Sequence, residues 1–435
     1  MNRGRWFAAA VGALALLALA LRLQGLTRQA LWYDEANGVL FALERPGRML
    51  ALLEKDSSPP LYYLLLHFWI RLAGFGETAV RLPSVFCGVL TAVGLALLGR
   101  RLYGPVAGAA AGVLAACAPL AVFQGQQARM YSLLPLLGLA SVGGLALFLA
   151  NAKPRWLCLS TAGTLLALYT HNYAFHLLPL LAALVLVSGQ ARSWAAYWLG
   201  ALAALGLGYL PWLPSFLAQL GNRDHYAWFA PIWASWSPLQ ALAWSFASFS
   251  PGADASMYGS HDPGLWGRLP ACAAGLLALY GLVLLLLRRV PGRDGRLAAA
   301  AAPLYALLPP LSALAASSLS TPHLVPGRVD QLHYPGFALL LAGGLAALRP
   351  RLLGALLLAG SCALSIITLD RIWIDPAGRP FGQAGRRLGA EREAAALIAR
   401  RARPGDAVLA MGWSNRSLEY YLRLEGLDLP VLAYP

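Results

Sequence analysis

Residues 3–35 read RGRWFAAAVGALALLALALRLQGLTRQALWYDE. Two arginines precede an apolar run over residues 6–21, which approaches the roughly 20 residues that a helix needs to cross a bilayer core. No small-residue cleavage site follows this run, so we interpret it as a membrane helix and not as a signal peptide. Asp34 and Glu35 come shortly after it. The sequence therefore predicts two carboxylates near the membrane surface, where the first helix ends.

The composition of the whole chain is that of a membrane protein. Its 435 residues are 58% hydrophobic and only 12% charged, about half the roughly 25% charge of soluble proteins. These proportions exclude a water-soluble enzyme and a disordered chain. The net charge of +15 is dispersed along the sequence, which argues against a nucleic-acid surface. All five cysteines lie in apolar runs without a CxxC pair, which predicts neither a disulfide framework nor a zinc site.

Apolar runs of near-membrane length recur along the sequence. They predict an all-α polytopic membrane protein with about eleven transmembrane helices. The runs cover residues 6–21, 82–99, 105–123, 130–150, 156–170, 173–188, 194–217, 266–287, 297–316, 335–348 and 352–369.

The basic residues predict the orientation, because cytoplasmic loops are enriched in Lys and Arg. With the N-terminus inside, the inner loops hold one acid, Asp294, and 13 basic residues: Arg3, Arg5, Arg100, Arg101, Lys153, Arg155, Arg192, Arg288, Arg289, Arg293, Arg296, Arg349 and Arg351. Residues 61–73 are apolar as well, but at about 1.5 Å per residue they reach only about 20 Å, short of a roughly 30 Å core. We interpret them as a helix at the outer interface, anchored by three aromatic side chains: Tyr62, Tyr63 and Trp69.

Three outer regions are longer than ordinary connections, and such loops are often functional. The first outer loop (22–81) and the second outer loop (218–265) belong to a membrane domain over 1–369, and a tail over 370–435 follows. The tail predicts a small extracytoplasmic α/β segment that packs on the membrane domain, with helices over 388–403 and 415–424 and strands over 406–411 and 430–434. The second outer loop carries aromatic residues that suit sugar rings or lipid tails but are also common interfacial anchors: Tyr226, Trp228, Trp233, Trp236, Trp244 and Tyr258.

The first outer loop contains the candidate base. Asp34 and Glu35 lie beside two aromatic residues near the membrane surface, where partial burial would raise the pKa of a carboxylate towards that of a useful base. Alternatively, Asp34 caps a helix predicted over residues 36–52, and the local sequence favours neither interpretation. Asp56 starts a rigid turn, in which it either caps the turn or points to the same cavity as a second carboxylate or part of an acceptor site.

Three basic residues are expected at the outer ends of helices. Arg129 opens the fourth predicted helix, His171 lies in the tight turn between the fifth and sixth, and Arg328 lies in the loop over 317–334. An arginine at that depth can bind a lipid phosphate or snorkel to head groups, and a lone histidine is often a satisfied interfacial residue. The sequence contains no GxxxxGK[ST], GxGxxG or HExxH motif, so a soluble nucleotide substrate or a zincin-type metal site is not indicated.

Several short motifs occur in a defined order and together resemble a known family. With Asp34-Glu35 they are Asp56 followed by PPLYY at 59–63, RLPS at 81–84, GRRLYG at 99–104, QQARMY at 126–131 and THNY at 170–173. They resemble the GT-C membrane glycosyltransferases, the group with the protein O-mannosyltransferases and the lipid A aminoarabinose transferase. The resemblance is strongest over residues 25–175. Further on, Arg328 with Pro335 is similar to the Arg-Tyr…Pro helix start of that family.

The resemblance implies a GT-C fold with outer juxtamembrane helices and a sugar donor carried on a polyprenyl phosphate. It also implies inverting transfer on the extracytoplasmic face, here of a bacterial inner membrane, to a glycan, lipid or protein acceptor. Asp34 matches the catalytic-base position with Glu35 beside it, and the candidates for binding the donor phosphate are Arg129, Arg328 and His171. Gln127 replaces the usual Glu and Val329 the usual Tyr of the family. Gln127 lacks the carboxylate of that Glu, which weakens any metal site that the Glu would complete. A divalent metal cation is the one cofactor that the sequence leaves undecided.

Two other functions are compatible with such a chain: a flippase or transporter of lipid-linked sugars, and a catalytically silent scaffold of the same fold. Transporters often carry intramembrane charges. Here no acid lies between Glu77 and Asp224, across six predicted helices. The carboxylates gather on one face, which favours an enzyme.

Overall fold

The structure, a computed structural model, describes residues 3–221, 229–253, 264–287, 295–319, 322–374 and 390–434. Within these ranges the first 374 residues are almost entirely helical. The helices are α1 (Arg3–Leu23), α2 (Tyr33–Leu43), α3 (Pro46–Lys55), α4 (Leu61–Ala73), α5 (Glu77–Tyr103), α6 (Pro105–Cys117), α7 (Pro119–Gly125), α8 (Leu133–Asn151), α9 (Pro154–Leu168), α10 (Leu177–Ser188), α11 (Ala195–Tyr209), α12 (Leu213–Gly221), α13 (Ala230–Ala234), α14 (Pro238–Ala247), α15 (Gly264–Leu286), α16 (Gly295–Leu319), α17 (Tyr334–Ala347) and α18 (Arg351–Ile374).

The helix lengths confirm a polytopic membrane protein. In the described ranges, six helices are long and apolar enough to cross a bilayer: α1, α5, α8, α15, α16 and α18. Two bent pairs, α6 with α7 and α11 with α12, raise the number to eight if each pair is one span. The other predicted runs correspond to the shorter helices α9, α10 and α17. The number of eleven crossings therefore stays a prediction.

Proline explains where several helices begin and bend. Proline lacks a backbone N–H and is tolerated in the first helical turn, where that donor has no partner inside the helix. Pro105 starts α6, and Pro119 starts α7 after a bend of 60°. Pro211 lies in the 71° bend between α11 and α12. The two predicted runs at these positions are broken for this reason.

Small residues bring the central helices close together. A Cβ atom on Gly108 of α6 would lie 2.5 Å from the carbonyl oxygen of Ala96 in α5. One on Gly144 of α8 would lie 2.7 Å from the backbone nitrogen of Ser160 in α9. Such close approach maximises van der Waals contact between membrane helices, which cannot rely on the hydrophobic effect.

The first outer loop folds into three helices, α2 to α4. The prediction of one helix over 36–52 is wrong, because the chain leaves helical geometry at Glu44 and Arg45 and Pro46 starts a new helix. The short helix expected over residues 61–73 is confirmed as α4.

The side chains of α4 differ from the prediction. Tyr62 and Tyr63 are only 3% and 0% exposed and point into the protein, so the prediction that they are interfacial anchors is wrong. Trp69 is half-buried, and its ring N–H donates to the carbonyl of Ala79. The outward face of α4 instead carries apolar side chains: Leu65, Phe68 and Leu72.

The tail has the predicted order of elements: α19 (Ala390–Ala399), β1 (Val408–Met411), α20 (Asn415–Leu424) and β2 (Val431–Tyr434). The strands pair in parallel, with Val408 opposite Val431. Helix α20 packs on the first outer loop, as expected of a segment with a marginal core. The phenol of Tyr421 donates to Glu77 at 2.7 Å and accepts from the backbone N–H of Leu31 at 2.7 Å. The tail therefore stabilises, through Tyr421, the segment that leads to Asp34.

Some predicted features lie outside the described residues. They are Tyr226, Trp228 and Tyr258 of the second outer loop, Arg288, Arg289, Arg293 and Asp294 of one inner loop, and the first two residues of the helix predicted over 388–403. Of the other aromatic residues in the second outer loop, Trp233 and Trp236 pack around the buried ring of Phe229.

Candidate active site

Asp34 lies in the first turn of α2 with its carboxylate in an ion pair. The N-cap residue of α2 is Trp32, so the alternative in which Asp34 caps a helix is wrong. Glu35 takes part in the N-terminal cap of α2, because its carboxylate accepts a hydrogen bond from the backbone N–H of Trp32 at 3.4 Å. The Oδ2 atom of Asp34 instead lies 2.6 Å from Nη2 of Arg328. The Asp34 side chain keeps 20% of its surface exposed, so this carboxylate is accessible.

Arg129 approaches Asp34 from a second direction, out of the short turn between α7 and α8. Its Nη1 donates to the backbone carbonyl of Asp34 at 3.1 Å and to the hydroxyl of Tyr63 at 3.1 Å. Its Nη2 lies 3.9 Å from Oδ2 of Asp34. The structure thus brings Asp34, Arg129 and Arg328 together, and one carboxylate stands between two guanidinium groups.

Tyr131 links the two arginines. The guanidinium carbons of Arg129 and Arg328 each lie 5.6 Å from its ring centroid, and Nε of Arg328 donates to its hydroxyl. The ring of His171 is 6.3 Å away. Neither Tyr63 nor Tyr131 was predicted as a site residue, although both belong to the motifs of the family resemblance. Membership of those motifs was the only signal for either.

Glu35 faces the protein interior although it is the neighbour of Asp34. It is 1% exposed and accepts two hydrogen bonds from Arg81, at 2.9 and 2.7 Å. Arg81 is 3% exposed, and its remaining N–H groups bind carbonyls of the segment before α2: Leu26, Gln29 and Ala30. Every donor of the Arg81 guanidinium and both oxygens of the Glu35 carboxylate therefore have partners, as a buried pair of this kind requires.

The same pair positions Arg129. Glu35 accepts from the backbone N–H of Ala128 at 2.7 Å, and the hydroxyl of Ser84 donates to the carbonyl of Arg129 at 3.0 Å. The turn that carries Arg129 is therefore held from both sides of its backbone. Arg81 and Ser84 belong to the RLPS motif, whose supporting role emerges only from the fold.

His171 is neutral at physiological pH. Burial and, to a smaller extent, the nearby charges of Arg328 and Arg129 together lower the pKa of its imidazole to about 3. Its Nδ1 accepts from the backbone N–H of Tyr173 at 3.0 Å, which assigns the ring proton to Nε2. His171 can donate one hydrogen bond to a ligand but adds no charge to the site.

Asp56 lies at the edge of the same group of side chains. It ends α3 and is half-buried. Burial raises the pKa of Tyr63 to about 12; the charge of Arg129 opposes this rise and the charge of Asp56 adds to it. Asp56 is thus within electrostatic range of Tyr63, whose hydroxyl stays protonated.

A buried polar network holds the turn that carries Arg328. The Oδ2 atom of Asp330 accepts from the backbone N–H of Gly327 and from the hydroxyl of Ser245, both at 2.8 Å. The side chain of Gln124 donates to the carbonyl of Gly327 at 2.9 Å. Burial raises the pKa of Asp330 to about 7. Asp330 was not predicted as a site residue, since an acid two residues after Arg328 has no distinctive local pattern.

The donor set of the site suits an anion. Within the described ranges, no group of three or more His, Cys, Asp or Glu side chains could hold a metal ion. Two arginines, two tyrosine hydroxyls and one imidazole N–H surround one carboxylate. Positive groups and hydrogen-bond donors thus exceed acceptors, an arrangement that fits phosphate.

Known proteins are similar to this chain in sequence and in fold. The sequence family described as "Dolichyl-phosphate-mannose-protein mannosyltransferase" matches residues 57–214. The structure is similar to ArnT from Cupriavidus metallidurans bound to undecaprenyl phosphate, with a TM-score of 0.62, 17% identity and coverage of 99% of this chain and 86% of that chain. ArnT in the apo state has a TM-score of 0.65, 16% identity and coverage of 100% and 86%. This chain has the GT-C fold.

An archaeal GT-C protein is similar as well. The oligosaccharyltransferase of Archaeoglobus fulgidus in complex with Zn and sulfate has a TM-score of 0.61 and 12% identity, with coverage of 98% of this chain and 62% of that chain. No curated protein sequence matches this GT-C chain significantly. The family match and the fold both point to a glycosyltransferase that uses a lipid-linked donor, as the short motifs predicted.

Proposed function

We propose that this GT-C chain transfers a sugar from a polyprenyl-phosphate donor to an acceptor hydroxyl, with inversion and with Asp34 as the general base. One observation carries the proposal: the Asp34 carboxylate lies 2.6 Å from Arg328 and 3.9 Å from Arg129. One base and two cations match a displacement in which a hydroxyl loses its proton while a phosphate departs.

In the proposed reaction, one bond forms as another breaks, and Asp34 takes the proton that is released. The acceptor oxygen forms the new bond to the anomeric carbon, and its proton passes to the Asp34 carboxylate. The bond from the anomeric carbon to the phosphate oxygen breaks on the opposite face, and polyprenyl phosphate leaves with the electron pair. A single displacement with one carboxylate base inverts the anomeric centre, whereas retention needs a second carboxylate as nucleophile. Glu35 is not available for that role, because Arg81 and two backbone N–H groups occupy its carboxylate.

The charge balance of the site also supports the proposed transfer. A donor phosphodiester carries one negative charge, which the two arginines and ionised Asp34 balance to zero. After transfer, Asp34 is protonated, and the released phosphomonoester carries about two negative charges near neutral pH. The two arginines balance these charges again. No uncompensated charge develops in a partly desolvated site, where it would be costly.

An apolar cavity supports a lipid-linked donor. It has a volume of about 640 Å³ between α6, α15, α17 and α18, and its lining includes Leu114, Leu277, Leu341 and Leu356. Tyr334 also lines this cavity, and Tyr334 and Tyr131 line a second, small cavity. The two cavities thus share Tyr334, and Tyr131 of the second cavity contacts both arginines. We propose that part of the polyprenyl chain occupies the larger cavity.

The proposed transfer takes place on the extracytoplasmic face of a bacterial inner membrane, with a glycan, lipid or protein as the acceptor. The basic residues of the predicted inner loops support this orientation. The family match to a dolichyl-phosphate-mannose-dependent enzyme and the undecaprenyl phosphate bound to ArnT support the donor class.

Two measurements test the proposal together. Mass spectrometry of envelope glycans, glycolipids and glycoproteins from cells with and without the gene is expected to show one missing sugar and its acceptor. The purified chain in nanodiscs is then expected to release polyprenyl phosphate from the matching donor only when that acceptor is present. Movement of intact donor across a vesicle membrane without release of polyprenyl phosphate would instead identify a transporter. The absence of both activities would identify a silent scaffold.

A further inference from the structure

Arg22 is a buried cation at the end of α1. It is 1% exposed, and its two terminal nitrogens donate to four backbone carbonyls at 3.1–3.5 Å: Ala18, Ala115, Ala116 and Ala121. Two of these carbonyls belong to the last turn of α6, which the break before α7 leaves without partners inside the helix. Arg22 therefore joins the two halves of the bent pair α6–α7.

The carbonyls do not neutralise the charge of Arg22. In the ranges described above, no carboxylate lies within salt-bridge distance of its guanidinium. Buried charges are normally paired, because an isolated ion loses its hydration without compensation. Arg22 differs in this respect from the buried Arg81, whose charge Glu35 balances.

Two hydrogen-bond donors at this place are unused. The Nε–H of Arg22 and the side-chain amide nitrogen of Gln331 are buried without a partner among the described protein atoms. Both residues line one cavity of about 20 Å³, together with Ser132, Tyr131 and Tyr334. A cavity needs about 10–15 Å³ to hold one water-sized species. The cavity thus accepts one small ligand and offers it a cation and an amide N–H.

Glycine makes room for this arrangement. A Cβ atom on Gly88 would lie 2.3 Å from Nε of Arg22, and one on Gly125 would lie 2.9 Å from the same atom. Any larger residue at 88 would displace the guanidinium from the bundle. Glycine at these two positions is therefore required for a buried arginine beside the cavity.

We propose that this cavity is a binding site for a monovalent anion of the size of chloride, held by Arg22 and Gln331. A hydrogen-bond acceptor fits because the two unused groups are hydrogen-bond donors. A monatomic ion fits because the small cavity has room for only one such species. A water molecule could accept the same hydrogen bonds but would leave the charge of Arg22 unbalanced. The site is separate from the Asp34 site, although Tyr131 lines both, and it does not rest on the proposed transferase activity.

The bound anion would stabilise both arginine-bearing segments of the Asp34 site. Gln331 lies three residues after Arg328, in the 3₁₀ turn Asp330–Leu332. Arg22 donates to backbone carbonyls on both sides of the break between α6 and α7. Helix α7 leads directly into the turn of Arg129. Anion binding is thus expected to raise the stability of the folded chain, because a ligand that binds only the folded state stabilises it in proportion to the logarithm of its concentration above Kd.

Thermal unfolding of the purified chain in detergent tests the site. We expect the unfolding temperature to rise saturably with sodium chloride or bromide, relative to sodium gluconate at equal ionic strength. Gln331→Leu removes one hydrogen bond to an ion and is expected to weaken halide binding about ten- to a hundred-fold. The matched control Gln24→Leu, on an exposed side chain, keeps the wild-type halide response.

A crystallographic measurement covers the case in which a variant fails to fold. Crystals grown in bromide are expected to show an anomalous peak within hydrogen-bond distance of Nε of Arg22 and of the Gln331 amide. Equal unfolding temperatures in chloride and gluconate for the wild type, or a water molecule in place of the bromide peak, would overturn the proposal.

Discussion

The Oδ2 atom of Asp34 lies 2.6 Å from Nη2 of Arg328, a residue 294 positions later in the chain. The two side chains are 20% and 17% exposed, so a ligand can reach both. In the proposed reaction, the donor phosphate offers Arg328 a second anionic partner. As Arg328 turns towards the phosphate, the Asp34 carboxylate becomes free to accept the proton of the acceptor hydroxyl. The ion pair thereby couples donor binding to the release of the base.

The first prediction concerns Asp34 as the base. Asn can keep the hydrogen bond from Arg328 but cannot take a proton. We expect Asp34→Asn to be expressed and folded like the wild type but to lose at least about 10²-fold in turnover, the usual lower limit for removal of a general base. The measurement is the rate of polyprenyl phosphate release with the matching donor and acceptor.

A control for this variant is Asp428→Asn in the tail, where the Asp428 side chain is 93% exposed; it should transfer at the wild-type rate. Near wild-type transfer by purified Asp34→Asn would show that Asp34 is not the base and direct attention to Asp56.

The second prediction concerns the phosphate-binding arginines. Charge reversal in Arg129→Glu or Arg328→Glu is expected to abolish transfer, because each places a carboxylate where the proposed donor phosphate binds. Arg129 is the more buried of the two, so thermal unfolding of each variant is measured beside its activity. Arg328→Lys keeps the charge but loses the planar fork of donors, so a higher KM for the donor is expected. Arg48→Glu, with the Arg48 side chain 72% exposed, is the matched control. Full activity in both charge-reversal variants would exclude a phosphate-binding role.

The third prediction separates Glu35 from Asp34. Glu35→Gln leaves the buried guanidinium of Arg81 without its counter-charge, and removing one partner of a buried pair costs roughly 3–5 kcal/mol. We expect a clear loss of stability in denaturant unfolding. Glu419→Gln weakens two partly exposed pairs, with Arg416 and with Arg423, and each should contribute no more than about 1 kcal/mol. Unchanged stability of Glu35→Gln together with lost transfer would indicate a catalytic role for Glu35.

The fourth prediction concerns the pH dependence of stability. The pKa of His171 is about 3 in the folded chain and about 6.5 when unfolded. Between these values the unfolded chain binds more protons, so the contribution of His171 to stability is complete above about pH 6.5 and declines as the pH falls towards 3. His171→Gln is expected to lose less stability than the wild type when the pH drops from 7 to 4. Parallel stability curves for the two proteins would contradict the buried, neutral state of His171.

The fifth prediction concerns the topology. Eleven crossings with the N-terminus inside require reporter fusions after residues 102, 154 and 292 to report the cytoplasm, and a fusion after residue 380 to report the outside. The physical reason is the retention of Lys and Arg in cytoplasmic loops. An outside signal at 292 or an inside signal at 380 would show that the number of crossings differs from eleven.

The sequence alone predicted the features that depend on local or compositional information. The long apolar runs required membrane helices, since no other structure satisfies the backbone polar groups in lipid. Leu61–Ala73 was too short for a span and is a separate helix. In the tail, the helix predicted over 415–424 is α20, because apolar periodicity is a local property. Asp34, Arg129 and Arg328 were selected through motif order, and that resemblance was sufficient to predict the fold.

Only the tertiary structure decided what each polar side chain contacts. Asp34 and Glu35 are neighbours in sequence, but successive side chains on a helix point about 100° apart. One therefore faces Arg328 in an accessible site, and the other faces Arg81 in the interior. Tyr62 and Tyr63 both lie on the face of α4 that packs into the protein, which only the packing of α4 against its neighbours decides. The arginine partners of Asp34 and Glu35 lie 46 to 294 residues away, and a local sequence pattern carries no information about contacts that form only when distant helices pack together.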